Sequence, residues 1–118
     1  MKSDLARKVT ALLLGISFAM VSVAGFAADY DKKAATMLFK RNECNKCHAK
    51  DRDKKGTALR KLAKELKEKE DPMGEIVKNL TTQPMVKLLD TGKEEKHTKI
   101  DTEDMGEIEN LGKWILSQ

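Results

Sequence analysis

The chain of 118 residues contains only two cysteines, and both lie in a five-residue run that ends in a histidine. The run is Cys44-Asn45-Lys46-Cys47-His48, which has the pattern C-x-x-C-H. This pattern is typical of the covalent attachment of a c-type haem. On one turn of helix, the two intervening residues separate the thiols by about the distance between the two haem vinyl groups, so each sulfur can form a thioether. The next residue, His48, is then in place to bind the iron as the proximal ligand.

Three other interpretations of the cysteine pair explain less of the sequence. A redox-active C-x-x-C of the thioredoxin kind needs a βαβ context, and no alternation typical of strands surrounds this run. A structural zinc site needs four ligands, so it would have to use both cysteines and both histidines of the chain. A disulfide between Cys44 and Cys47 is compatible with an exported protein but leaves the adjacent histidine unexplained. The sequence therefore predicts one haem, bound through Cys44, Cys47 and His48.

Residues 1–27 have the pattern of a secretory signal peptide. Basic residues at the start precede an apolar run of 17 residues, and small residues before Ala28 form a cleavage site. The alternative is a permanent membrane anchor, but 17 residues are at the short limit for crossing a bilayer, and no basic cluster follows directly. We therefore expect cleavage after Ala27, a mature domain of residues 28–118, a periplasmic location and no stable membrane insertion of the mature protein.

The mature part has little material for a hydrophobic core, because its only aromatic residues are Tyr30, Phe39 and Trp114. A domain of this size with so few large apolar side chains usually needs an additional stabilising element. The apolar face of a bound haem would supply the missing bulk.

Apolar residues recur at helical spacing in four segments, which predicts an all-α fold of four short helices. The first helix covers residues 31–41, the second follows Gly56-Thr57, the third begins at Asp71-Pro72, and Thr102 caps the fourth. The residues expected to face the core are Ala34, Ala35, Leu38, Phe39, Leu59, Leu62, Ala63, Leu66, Met73, Ile76, Val77, Leu80, Met105, Ile108, Leu111, Trp114 and Ile115. Residues 81–101 lack this period and are predicted to form one long loop.

The segments LFKRNECNKCHAK and NLGKWILSQ resemble the small bacterial class I cytochromes c, and the resemblance extends over the mature chain. It implies the class I cytochrome c fold, in which the first and last helices cross and an aromatic residue of the first packs against the last. Phe39 and the stripe with Leu111 and Trp114 match those places. In the family, a proline carbonyl after a glycine accepts the ring N–H of the proximal histidine. Here the corresponding pair is Gly56-Thr57, so the Thr57 carbonyl is the expected acceptor.

The resemblance also implies a second iron ligand from the loop before the last helix, usually a methionine. His97 lies 17 residues before Trp114, close to the family's ligand position, whereas Met85 lies 29 and Met105 only 9 residues before it. Met73 and Met105 fall on apolar stripes that are typical of core residues. His97 is the only histidine besides His48. We therefore expect His97 as the distal ligand, with Met85 or an open or otherwise ligated iron as the alternatives.

The charge of the mature chain is unevenly distributed. Residues 28–64 contain 12 Lys and Arg against 5 Asp and Glu, and residues 65–118 contain 8 against 13. Such a dipole can orient the protein toward a redox partner with an acidic docking patch, although charged helix faces are often merely solvated. Nucleic acid binding is not expected for an exported protein whose basic residues are offset by so many acids.

Together these features predict a single-electron carrier with one haem c, and not an enzyme, since no separate catalytic constellation is present. Two alternatives remain open. The first is a haem protein that binds or senses a small gas such as nitric oxide or carbon monoxide. The second is a haem subunit of a larger periplasmic oxidoreductase.

Overall fold

The computed structural model describes residues 29–118, so the predicted signal peptide and its cleavage site lie outside the described residues. The described part is mostly helical. Its elements are α1 (Lys32–Arg41), a 3₁₀ turn (Cys44–Lys46), α2 (Leu59–Lys67), α3 (Pro72–Thr81), β1 (Met85–Lys87), β2 (Glu94–Lys96) and α4 (Met105–Leu116). The prediction of four short helices is confirmed, and no helix within residues 29–118 is long and apolar enough to cross a membrane.

Aspartates begin three of the four helices. The Asp31 carboxylate accepts a hydrogen bond from the backbone N–H of Ala34, and Asp71 does the same from Gly74, with Pro72 in the first turn. These carboxylates satisfy backbone donors that would otherwise have no partner.

The prediction that Thr102 caps the last helix is wrong. The cap is Asp104, because the Thr102 hydroxyl is used to accept from the backbone N–H of Asp104 itself.

Helices α1 and α4 cross, and their contact forms the centre of the core. The rings of Phe39 and Trp114 meet edge to face, with centroids 5.1 Å apart and planes inclined by 62°. This arrangement is favourable for aromatic pairs beyond the area that it buries. Ile108 and Leu111 of α4 are almost completely buried beside it. The predicted crossing is therefore confirmed.

Polar contacts at both ends of α1 hold the crossing in register. At its beginning, the backbone N–H of Asp31 donates to the Asn110 side chain at 2.8 Å, and the Asn110 amide donates back to the Asp31 carbonyl at 2.9 Å. At its end, the Arg41 guanidinium makes two hydrogen bonds of 2.9 Å to the carboxylate of Asp101. The hydrogen bonds that the Asp101 carboxylate accepts, first from Arg41 and then from Asn42, lower its pKa.

Residues 81–101 are not one unstructured loop, as the sequence predicted, because they contain an antiparallel β-hairpin. Met85 pairs with Lys96 and Lys87 with Glu94, and Gly92 takes a positive φ of 71° in the turn. The backbone N–H of Leu89 donates to the Lys55 carbonyl at 2.8 Å, so the hairpin is tied to the segment after the cysteine motif.

The stripe predicted for α4 is correct from Ile108 onward and wrong at its start. Ile108, Leu111, Trp114 and Ile115 are buried, but Met105 is 45% exposed. Met105 is the first residue of the helix, directly after its N-cap Asp104.

Candidate cofactor site

One cavity of about 300 Å³ contains the sequence-predicted cysteines and histidines. Cys44, Cys47, His48 and His97 all line it. The rest of its wall is mainly apolar and is built from all four helices; the residues that contribute are Phe39, Leu59, Leu62, Leu66, Ile76, Leu80, Leu111 and Ile115. An apolar cavity with a few convergent polar groups is the usual form of a cofactor site.

The cysteine end of the cavity is shaped by the 3₁₀ turn after α1. Glu43 takes a left-handed conformation with φ of 59°, which ends α1 and redirects the chain into the turn. The backbone N–H of His48 then donates to the Cys44 carbonyl at 2.9 Å. Both cysteines are half-buried free thiols at the cavity wall. Burial raises the pKa of Cys44 to about 11, so this thiol is protonated at neutral pH.

The predicted backbone acceptor for His48 is confirmed. Its Nδ1 lies 2.7 Å from the Thr57 carbonyl oxygen. Because a carbonyl only accepts, Nδ1 carries the hydrogen, and the lone pair of the neutral ring is on Nε2. Burial lowers the pKa of His48. The nearby His97 lowers this pKa further, whereas the hydrogen bond to Thr57 raises it. The neutral form, which metals require, is therefore favoured at His48.

His97 is held in the same manner from the opposite wall. Its Nδ1 lies 2.9 Å from the Thr98 carbonyl oxygen, which again leaves Nε2 as the nitrogen with the lone pair. Its backbone N–H donates to the Pro84 carbonyl at 2.8 Å and so closes the open end of the hairpin. The half-buried side chain reaches the cavity, with its ring centroid 6.4 Å from that of His48 and the two planes inclined by 46°.

The spacing of the two rings can be compared with what one shared metal ion requires. A metal–imidazole bond is about 2.0 Å long and the ring centre lies about 1.2 Å behind the nitrogen, so two imidazoles on opposite sides of one ion have centroids about 6.4 Å apart. The observed centroid distance of 6.4 Å equals this separation. The donor set, two thiols and two imidazoles around an apolar cavity, fits a covalently attached haem.

The methionines considered as ligands lie elsewhere. Met85 is on β1 and is 57% exposed, and Met105 is 45% exposed. Met73 packs against Gly112, between α3 and α4. No methionine within residues 29–118 lines the cavity.

The other interpretations of the cysteine pair gain no support from the geometry. Cys44 and Cys47 are not joined to each other. In the part of the chain that the structure describes, no three His, Cys, Asp or Glu side chains are grouped closely enough to hold a metal ion by themselves. The compact four-ligand arrangement of structural zinc is therefore not formed by the two cysteines and two histidines.

Sequence reasoning missed several residues of the cavity wall. Asn79 of α3 is half-buried there, one turn after Ile76, and its helical spacing from Ile76 could have indicated this. Lys87, Leu89 and Lys96 also line the cavity. They belong to the hairpin, which has no comparable periodic signal in the sequence.

Comparison with known proteins identifies the fold. No protein-family model matches the chain, and no match is found among curated proteins. Among solved structures, the chain is similar to the crystal structure of the Class 1 cytochrome MtoD from Sideroxydans lithotrophicus ES-1, with 35% sequence identity and a TM-score of 0.69. The match covers 75% of this chain and 96% of that protein. With this identity over nearly the whole length of that cytochrome, and with the C-x-x-C-H motif at the cavity, the chain belongs to the class 1 cytochromes, which are haem-based electron-transfer proteins.

Proposed function

We propose that this protein is a periplasmic single-electron carrier with one haem c whose iron is held between His48 and His97. One observation carries the proposal: the two imidazoles stand 6.4 Å apart across an apolar cavity that both cysteines line. The signal-peptide pattern of residues 1–27 supports export to the periplasm.

Four residues would hold the cofactor. Cys44 and Cys47 would form the thioether links, and Nε2 of His48 and of His97 would be the axial ligands. When bound, haem supplies an iron centre that gains and loses one electron reversibly. The thioethers keep the cofactor in the protein whether or not an axial ligand is released.

The chain's own contribution is to orient both imidazoles and to favour the neutral form of His48. The carbonyls of Thr57 and Thr98 accept the Nδ1 hydrogens at 2.7 and 2.9 Å, so neither ring can turn over without losing a hydrogen bond. With His48 and His97 both as ligands, the protein would leave the iron no free position for a substrate, which favours electron transfer over catalysis. Two nitrogen ligands also favour ferric iron, so the reduction potential is expected below that of a His/Met cytochrome of the same fold.

The charge distribution supports a redox partner with an acidic docking patch. The basic half, residues 28–64, contains the cysteine motif and thus one end of the cavity. Lys55, Lys87 and Lys96 outnumber the two acidic residues at the cavity wall, Glu43 and Glu95. Complementary charges accelerate the encounter of partners and orient them.

The spectra of the purified oxidised protein test the proposal directly. Near-infrared magnetic circular dichroism and electron paramagnetic resonance distinguish bis-histidine from histidine–methionine ligation. We expect the bis-histidine signature, haem that stays attached after denaturation, and only slow binding of carbon monoxide to the ferrous protein at neutral pH. A sulfur–iron band would overturn the assignment of His97, and rapid binding of carbon monoxide would instead favour a gas-binding protein.

A further inference from the structure

Gly56 lies closer to the proximal histidine than any other residue type would allow. A Cβ atom at this position would be 2.6 Å from Cε1 of His48, 3.0 Å from Nδ1 and 3.1 Å from Nε2. Real Cβ atoms essentially never approach a heavy atom to 2.6 Å. The backbone of Gly56 does not have a positive φ, so the glycine is required by this close approach and not by its own conformation.

The backbone of Gly56 cannot easily retreat from the ring. Its N–H donates to the Cys47 carbonyl at 2.9 Å, and its carbonyl accepts from the N–H of Lys54 at 3.0 Å. The neighbouring carbonyl of Lys55 also accepts from Leu89 of the hairpin at 2.8 Å. A side chain at position 56 would therefore displace the ring of His48 before it displaced the main chain.

The ring of His48 is thus restrained at two points by consecutive residues. Gly56 lies against its Cε1 edge, and the Thr57 carbonyl holds Nδ1 at 2.7 Å. We propose that Gly56 is a positioning residue that sets the plane of the His48 imidazole. The His48 plane is inclined by 46° to the His97 ring, and this angle in turn sets the electronic structure of the ferric haem. This inference rests on the bis-histidine ligation proposed above.

The link from ring plane to electronic structure follows from ligand-field chemistry. Each imidazole π orbital interacts with the iron d orbital that is perpendicular to the ring plane. Parallel rings raise the same d orbital and split the pair, whereas perpendicular rings raise both equally. The angle between the planes therefore determines the anisotropy of the ferric resonance signal, and it is one of the ways in which a protein adjusts a haem.

The test compares the ferric resonance spectrum of Gly56→Ala with that of the parent. The added methyl should turn the His48 ring, so the largest g value should shift by more than its linewidth and the reduction potential should shift with it. Gly106→Ala is the matched control, because it adds the same methyl in the first turn of α4, where the nearest neighbour is Asp104. This control should retain the parent g values.

Three outcomes would overturn the inference. The first is an unchanged largest g value in Gly56→Ala with covalent haem intact, and the second is an equal shift in Gly106→Ala. The third is observed in the parent itself. A parent resonance signal broadened by many ring orientations would show that the His48 ring plane is not fixed. This measurement tests the inference even if Gly56→Ala does not fold. If the parent shows no bis-histidine signature at all, the proposed ligation fails instead.

Discussion

At the scale of single residues, His97 and Met85 make opposite predictions. His97→Ala removes the imidazole next to His48 in the cavity, while the proposed thioethers and the proposed His48 ligand would remain. We expect partly high-spin ferric iron and binding of carbon monoxide to the ferrous form, because the sixth position is then open. Optical spectra with and without carbon monoxide measure both effects.

Met85→Ala is the control for this experiment. Its side chain is 57% exposed and does not line the cavity, so the spectra and the carbon monoxide response should match those of the parent. If Met85→Ala opened the iron and His97→Ala did not, methionine would be the ligand and the assignment would be wrong.

The two cysteines make a second prediction at this scale. Cys44→Ala or Cys47→Ala removes one thioether and should weaken covalent retention of haem, while the double variant should abolish it. Haem staining after denaturing electrophoresis measures the retained fraction. Staining of the double variant at the parent level would contradict covalent attachment through this motif.

At the scale of elements, the hairpin is what presents His97. Gly92→Val places a β-branched residue at a φ of 71°, which costs about 1–2 kcal/mol in the turn. Opening of the hairpin should release His97 more often, so carbon monoxide should bind the ferrous protein about tenfold faster. Stopped-flow mixing measures this rate.

A variant that weakens another element provides the comparison. Asp104→Ala removes the N-cap residue of α4, a residue that does not line the cavity, and should lower stability by about 1 kcal/mol without accelerating carbon monoxide binding. Equal acceleration in both variants would mean that general destabilisation, and not the hairpin, controls access to the iron.

The elements also show why some features could be predicted from the sequence and others could not. The helical stripes and the C-x-x-C-H motif are local patterns, and the buried Leu111 and the cavity-lining Cys44 were found from spacing alone. The hairpin has short strands of mixed polarity, and its tie from Leu89 to Lys55 joins residues far apart in sequence, so no local period reveals it. His97 was found from family spacing and its rarity, but its distance to His48, 49 residues earlier, depends on the whole fold.

At the scale of the whole molecule, the uneven charge predicts an effect on electron-transfer rates. Lys55→Glu reverses a charge at the cavity wall and should slow oxidation by the anionic reagent hexacyanoferrate(III), about threefold or more at low salt. The difference from the parent should shrink as salt screens the charges. Stopped-flow rates over a range of ionic strength measure it, with the haem spectrum unchanged.

Lys113→Glu is the matched control, because it changes the net charge equally on an exposed residue of α4 that does not line the cavity. It should slow the reaction less. Equal slowing by both variants would mean that only the net charge matters and that the basic half is merely a solvated surface.

The crossing of α1 and α4 has a consequence for the order of folding. The hydrogen bonds that hold this crossing join Asp31 to Asn110, 79 positions apart, and Arg41 to Asp101, 60 positions apart. The first of these contacts closes nearly the longest loop that the described chain can make. Closing such a loop costs conformational entropy before any packing is gained, which slows topologies rich in distant contacts. A growing chain has Cys44 and Cys47 available well before α4 emerges to complete the core. We therefore expect the proposed attachment at these cysteines to act on a chain that is still unfolded, and the helix crossing to be the late event that encloses the bound group.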